Sequence, residues 1–358
     1  MSHGKCQVAQ RIDMQLNQIQ ANGDLTPMPK IVRFYQTGPA EVLRIEGLPQ
    51  QQPKDNEVRL RVQAIGLNRA EVMFRTGVYL ETPVFPARLG VEAAGIVDAV
   101  GAGVAGIKVG ERVSTVPSFS MNSHGVYGEE AIVPAHAVAR YPANLSPVEG
   151  ASIWMQYLTV WGALIHHGKI GPGQSVFITA ASSSVGLAAI EIARLMDARP
   201  IAVTRTSAKK QALLDMGASH VIASAEEDLP AMVTKHTHGK GADLIFDPVA
   251  GPFLETLAQC AAPGAQIIEY GWLSGAPTPF PLFPAFQKAL TVRGYTLYEF
   301  VHDPVLRPKA ERFVTEHLAA GRLRPKIDRT LPLSQVVEAH RYLESNRQVG
   351  KVVVTVDD

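Results

Sequence analysis

The chain has 358 residues, 46% hydrophobic and 19% charged, which suits about two soluble globular domains with sizeable cores. Its 34 basic and 33 acidic residues leave a net charge of +1 with no basic stripe, which argues against a nucleic-acid partner, and no apolar run approaches the roughly 20 residues of a membrane span. Two cysteines, Cys6 and Cys260, supply neither a disulfide framework nor a four-thiolate zinc site, so a reducing, cytoplasmic setting is expected.

Residues 1–28 lack the apolar core of a signal peptide, and Asp13 and Asp24 argue against a transit peptide. Ile12, Leu16 and Ile19 have helical spacing, yet the segment reads best as a mobile Gln-rich extension before a fold that begins near Met28. Residues 30–151 read as short strands with Gly/Pro punctuation, among them 31–35, 58–65, 95–100 and 112–116. Strand and helix then alternate. Strands are predicted at 175–180, 200–204, 220–223, 242–247, 266–270 and 291–295, with helices at 185–197, 207–216, 229–236 and 252–260 between them. A helix at 308–320 and a strand at 351–356 follow. Six strands with helical crossovers predict a doubly wound parallel sheet, inserted into a β-rich domain that resumes near the C-terminus. The expected division is 1–28 extension, 29–152 and 295–358 β-rich domain, 153–294 nucleotide-binding domain.

The most informative stretch starts at residue 176. An apolar run stops at the small residues Ala181, Ser182, Ser183 and Ser184, and Val185 and Gly186 open a helical run. A second apolar run ends on Thr204, Arg205 and Thr206. Strand, tight turn, helix and strand is the order in which a helix N-terminus receives a dinucleotide pyrophosphate. Judged alone, so Gly-poor a turn serves an ordinary strand-to-helix connection as readily. Its context favours the nucleotide, and a cation at the second strand tip, Arg205 with Lys209 behind it, selects a 2′-phosphate and therefore NADPH. His166-His167 suits a helix C-terminus, His236 and His238 a surface loop, and the aromatic-rich 277–284 segment either the substrate cleft or a dimer contact.

Several motifs, in order across residues 29–356, carry a family resemblance. They are Gly66-Leu67-Asn68-Arg69-Ala70-Glu71, Arg75-Thr76-Gly77-Val78-Tyr79, Leu89-Gly90-Val91-Glu92, Val109-Gly110-Glu111-Arg112, Leu158-Thr159-Val160-Trp161-Gly162 and Val349-Gly350-Lys351-Val352. The chain resembles the medium-chain dehydrogenase/reductase superfamily in its zinc-free quinone oxidoreductase and enoyl reductase branch. That resemblance implies a Rossmann sheet inserted in a GroES-like catalytic domain, and a homodimer or homotetramer. The zinc-ligand positions of the alcohol dehydrogenases fall here on Asn68, Val91 and Met155, and residues 114–130 hold no cysteine, so no zinc is expected.

Without a metal to stabilise an alkoxide, the favoured chemistry is hydride transfer to a quinone or α,β-unsaturated carbonyl, whose negative charge delocalises. The resemblance places Asn68 at the nicotinamide ribose, or else tying a loop. It makes Tyr79 a proton donor or a packing residue, and Thr159 a cofactor contact or a hydroxyl bonded to its own turn. Tyr270, Gly271 and Trp272 would meet the carboxamide, and Asn346 and Lys351 would close over the cofactor. The alternatives are an enoyl thioester reductase, with Arg69, Arg75 and Arg88 as a basic entry, a zinc-type alcohol dehydrogenase relative, and a non-enzymatic NADPH-binding protein.

Overall fold

The computed structural model describes residues 28–356; Cys6 and the periodic Ile12, Leu16 and Ile19 lie outside the described residues. A two-stranded ribbon, β1 (Lys30–Arg33) and β2 (Arg44–Gly47), precedes β3 (Glu57–Gly66) and helix α1 (Arg69–Thr76). Strands β4 (Ala93–Val100), β5 (Arg112–Thr115), β6 (Glu130–Pro134) and β7 (Val138–Ala139) follow. Helix α2 (Trp154–Val160) runs on as a π-helical stretch, Trp161–His167. The alternating region comprises β8 (Ser175–Ile178), α3 (Ser184–Leu195), β9 (Arg199–Thr204), α4 (Lys210–Asp215), β10 (His220–Ala223) and α5 (Leu229–His236). It continues through β11 (Ala242–Asp247), α6 (Phe253–Cys260), β12 (Ala261–Glu269), α7 (Leu282–Lys288) and β13 (Thr291–Gly294). Helix α8 (Leu306–Ala319), β14 (Ile327–Pro332), α9 (Val336–Glu344) and β15 (Lys351–Thr355) complete the chain.

The six strands β10-β9-β8-β11-β12-β13 pair in parallel in that order. Side chains alternate between two cores. Val176 and Ile178 of β8 pack with Leu187 and Ile190 of α3, while Phe177 joins Ile201, Val203 and Ile245 against Val233, Leu254 and Leu257. Both faces are covered, which is why these strands read as continuous apolar runs rather than alternating ones. Strand order reverses between β8 and β11, so the crevice beyond their C-terminal ends is the switch point where a ligand fits. The second sheet, β14-β15-β3-β4-β5-β7 with β6 on β3, is antiparallel apart from the β14–β15 pair. Its closing strand, β15, brings the C-terminus back against β3. Just before β15, the Gly350 amide donates to the Ser182 carbonyl at 2.9 Å and stitches the second sheet to the turn after β8. Among the described residues no helix is long and apolar enough to cross a membrane.

Several local expectations shift. The regular part of β12 is Gln266–Glu269, because its first residues pair separately with Ala242 across a register shift. The predicted helix at 207–216 opens as a 3-10 turn, Ser207–Lys209, before α4. His236 ends α5 and stacks on His220 at 3.9 Å instead of lying in a loop. Phe280 and Phe283 of the 277–284 segment face solvent and do not line the cleft.

The turn after β8 compensates for its missing glycines. Ala180 takes φ 43°, a left-handed conformation that costs an L-residue about 1–2 kcal/mol. Gly186 is needed for approach: a Cβ there would lie 2.6 Å from Ala181 Cα. Ala180→Gly is therefore expected to raise stability by about 0.5–1 kcal/mol, the relieved strain exceeding the entropy that glycine adds to the unfolded chain. Thermal and denaturant unfolding measure this, and a loss of stability would show that the Ala180 methyl group matters more than its backbone.

Candidate active site

A cleft of about 970 Å³ is walled by residues of both sheets. Its floor is the turn from β8 into α3. Ser183 Oγ accepts the Gly186 amide at 3.0 Å and its carbonyl takes the Leu187 amide at 2.9 Å. That leaves the first-turn amides of Ser184 and Val185, both on the cleft wall, available to an anion at the positive end of a 12-residue helix. Ser182 and Ser183 also face the cleft, whereas Ala181 and Gly186 pack beneath it. The Tyr270 hydroxyl is buried on the same wall with no hydrogen-bond partner, an orphan that a bound ligand would satisfy. These residues fit a dinucleotide pyrophosphate.

Thr204, Arg205 and Thr206 line the cleft at the tip of β9. Arg205 is exposed, and its guanidinium bonds to no other described residue. Lys209 is committed. Its Nζ donates to Ser182 Oγ at 3.0 Å and to the carbonyls of Asn346 and Gln348 at 2.8 and 2.7 Å, and partial burial lowers its pKa. Asn346, at φ 56°, accepts Arg69 Nη2 on Oδ1 at 2.7 Å, so it straps the C-terminal loop to α1. The other two arginines considered as a basic entry are structural: Arg75 is fully buried on Glu344 at 2.5 Å, and Arg88 donates to the Glu130 carbonyl while burial brings its pKa down to about 10.

At the end of β12, Gly271 passes so close to Pro248 that a Cβ would meet it at 2.9 Å. Trp272 turns onto its own loop, its ring N–H donating to the Ala276 carbonyl at 2.7 Å. Beside them lies a carboxyl pair that sequence reasoning missed, Asp247 and Glu269, register partners on β11 and β12. Asp247 accepts the Val249 and Ala250 amides at 3.0 and 2.6 Å and the Thr179 hydroxyl. Neither Glu269 oxygen accepts a bond. Burial, then the neighbouring Asp247 charge, pushes Glu269 up to about 9, so Glu269 holds the proton of the pair.

Where the zinc-ligand positions of the alcohol dehydrogenases fall, an ammonium is buried. Lys351 Nζ lies 2.6 Å from Asn68 Oδ1 and 2.6 Å from Glu92 Oε2. Glu92 also accepts the Met155 amide at 3.0 Å, and Val91 is aliphatic core. One carboxylate, already neutralised, beside an amide and a thioether does not fit zinc. The Asn68 Nδ2 group donates to the Gly66 carbonyl at 3.0 Å and lies 3.3 Å from Glu71 Oε1. Glu71 further accepts the Asn68 amide and the Tyr127 hydroxyl, both at 2.7 Å, yet burial still pushes it up to about 7. Asn68 can therefore offer a ligand only the second lone pair of Oδ1. Lys351, predicted to touch cofactor, lines the cleft and holds Asn68.

Tyr79, Thr159 and Met155 share the remaining wall. The Thr159 hydroxyl donates to the Met155 carbonyl of its own turn. Tyr79 meets Tyr298, a residue with no sequence motif, which the exit of β13 delivers to the same wall. Burial holds both phenols above their ordinary pKa, and therefore protonated.

Comparison with known proteins agrees with this geometry. Residues 54–143 match the alcohol dehydrogenase GroES-like domain family and residues 184–314 the zinc-binding dehydrogenase family. Quinone oxidoreductase of Lama guanicoe is 30% identical over 91% of this chain and 97% of its own length. The structure of Escherichia coli quinone oxidoreductase complexed with NADPH superposes with TM-score 0.84 and 30% identity, covering 91% of this chain and 99% of the other. CurK enoyl reductase gives 0.82 at 25% identity over 92% and 100%.

The carboxyl pair yields a stability test. Because the folded pKa of Glu269 is raised, its contribution to stability is complete below about pH 4.5 and is lost as pH climbs towards 9. Glu269→Gln keeps a neutral donor without that penalty. Its Tm is expected to exceed the wild-type value by a few degrees at pH 8 and by much less at pH 5; parallel profiles would show that Glu269 is ionised in the fold.

Proposed function

The chain belongs to the medium-chain dehydrogenase/reductase superfamily, in its zinc-free quinone-oxidoreductase-like branch, and on that footing we propose an NADPH-dependent oxidoreductase that reduces quinones or α,β-unsaturated carbonyls. One observation carries the reading. A single cleft has an anion-accepting helix end and an uncommitted arginine at one pole, with an apolar pocket at the other. The place of a Lewis acid there is filled by Lys351. A bound reduced nicotinamide would supply hydride.

The chain's own groups do the rest. Ser184 and Val185 amides take the pyrophosphate, and Arg205, flanked by Thr204 and Thr206, takes the 2′-phosphate. Asn68 Oδ1 accepts from the nicotinamide ribose, and the Tyr270–Trp272 backbone meets the carboxamide. Leu67, Met155 and Leu297 exclude water beside the ring. Residues 153–294 serve as the cofactor domain, 29–152 and 295–358 as the catalytic domain. The family further suggests a cytoplasmic homodimer or homotetramer.

A conjugated acceptor suits this pocket because its charge spreads into an enolate or hydroquinone anion, whereas a saturated alcohol leaves an alkoxide that no metal receives. The enoyl reductase neighbour supports a C=C acceptor. A phosphopantetheine-bearing thioester is less well supported, since Arg75 is buried on Glu344, Arg88 is tied to the Glu130 carbonyl and Arg69 to Asn346.

Two measurements test the reading. NADPH absorbance should fall with a quinone or enone, while the chelator-washed protein should oxidise benzyl alcohol negligibly; robust alcohol oxidation would overturn the proposal. A charge-assisted contact is worth about 1.5–3 kcal/mol, so Arg205→Ala should lower kcat/KM for NADPH about 10–100-fold and leave NADH unchanged. Equal loss for both cofactors would remove Arg205 from phosphate recognition.

A further inference from the structure

Most polar groups near the expected reacting centre are already committed. The amide hydrogens of Asn68 go to Gly66 and the buried carboxylates, the Thr159 hydroxyl goes to its own turn, and Lys351 goes to Asn68 and Glu92. Two phenols differ. Tyr79 comes from the loop after α1 and Tyr298 from the segment after β13, and both reach the same stretch of cleft wall. Their oxygens are 3.5 Å apart, with Tyr79 placed to donate to Tyr298. That is longer than the about 2.5–3.0 Å of a well-made O–H···O bond. It suits a different arrangement, in which one acceptor oxygen about 2.8 Å from each hydroxyl receives both hydrogens.

We infer that Tyr298 is a second catalytic residue, and that its hydroxyl and that of Tyr79 form a two-donor site for the carbonyl oxygen of a conjugated acceptor. The inference rests on the proposed function for the identity of that oxygen. As the new C–H bond forms at the β-carbon, the C=C electron pair shifts and negative charge arrives on the carbonyl oxygen. Both O–H groups donate hydrogen bonds to it, neither proton leaves its phenol, and the α-carbon afterwards takes a proton from water. Donors fixed in an apolar wall act more strongly than they would in water and need no reorientation as the charge develops.

The test uses the full chain saturated with oxidised cofactor as well as turnover. Tyr298→Phe and Tyr79→Phe should each lower kcat on an enone about 100-fold, with KM for the acceptor changed less than about three-fold. Absorbance titration with 4-nitrophenol reports phenolate binding without chemistry. Both variants should bind the phenolate at least about ten-fold more weakly while binding 4-nitroanisole, which has no oxyanion, like the wild type. Unchanged cofactor affinity confirms that the variants are folded. A Tyr298→Phe protein with wild-type kcat and wild-type phenolate affinity overturns the inference and leaves the proposed function standing. Wild-type protein that prefers the phenolate through both tyrosines but reduces no conjugated acceptor supports the oxyanion site and overturns the function.

Discussion

A buried ammonium organises this molecule. Lys351 of β15 meets Asn68 at the start of α1 and Glu92 at the start of β4, and Glu92 in turn holds the Met155 amide at the start of α2. Desolvating an ion pair costs several kcal/mol per ion, and the attraction recovers it only where further hydrogen bonds satisfy the remaining groups. Here they do: both Glu92 oxygens and the Asn68 amide have partners within the network. Removing one member would strand a charge, at about 3–5 kcal/mol. Four elements from distant parts of the chain are thereby held at one point on the cleft wall.

The same network decides what chemistry the wall can do. An ammonium with two of its three hydrogens committed to Asn68 and Glu92 offers a fixed positive field but not the open coordination position of a metal. Asn68, saturated on its donor side, becomes an acceptor. Hydrogen-bond donors for a developing oxyanion on the Met155 wall are then supplied by the paired phenols of Tyr79 and Tyr298.

What the sequence made legible was what local pattern controls. Strands β8, β9, β10 and β11 read correctly because a parallel strand covered on both faces is an uninterrupted apolar run, and α3 because Ser183 and a run of small residues mark its start. The placement of Arg205 on the cleft was legible because it follows directly on the end of strand β9. The fates of Lys209, Lys351, Arg75 and Arg88 were not, since each is fixed by partners more than 40 residues away: Gln348, Glu92, Glu344 and the Glu130 carbonyl. Tyr298 carries no motif at all; only the exit path of β13 brings it to Tyr79. The strained Ala180 shows the limit of a glycine fingerprint, because the surrounding fold imposes the left-handed turn on a residue that disfavours it.

The acid pair fits the same electrostatic scheme. A dinucleotide brings several negative charges into the cleft, and Glu269 stands on that wall beside Tyr270. Two ionised carboxylates on β11 and β12 would oppose the field that the α3 N-terminus and Arg205 provide. Instead Asp247 takes nearby amide and hydroxyl hydrogens and keeps its charge off the cleft surface, while Glu269, left without donors, stays protonated. One negative charge then serves two carboxyl groups at this point of the wall.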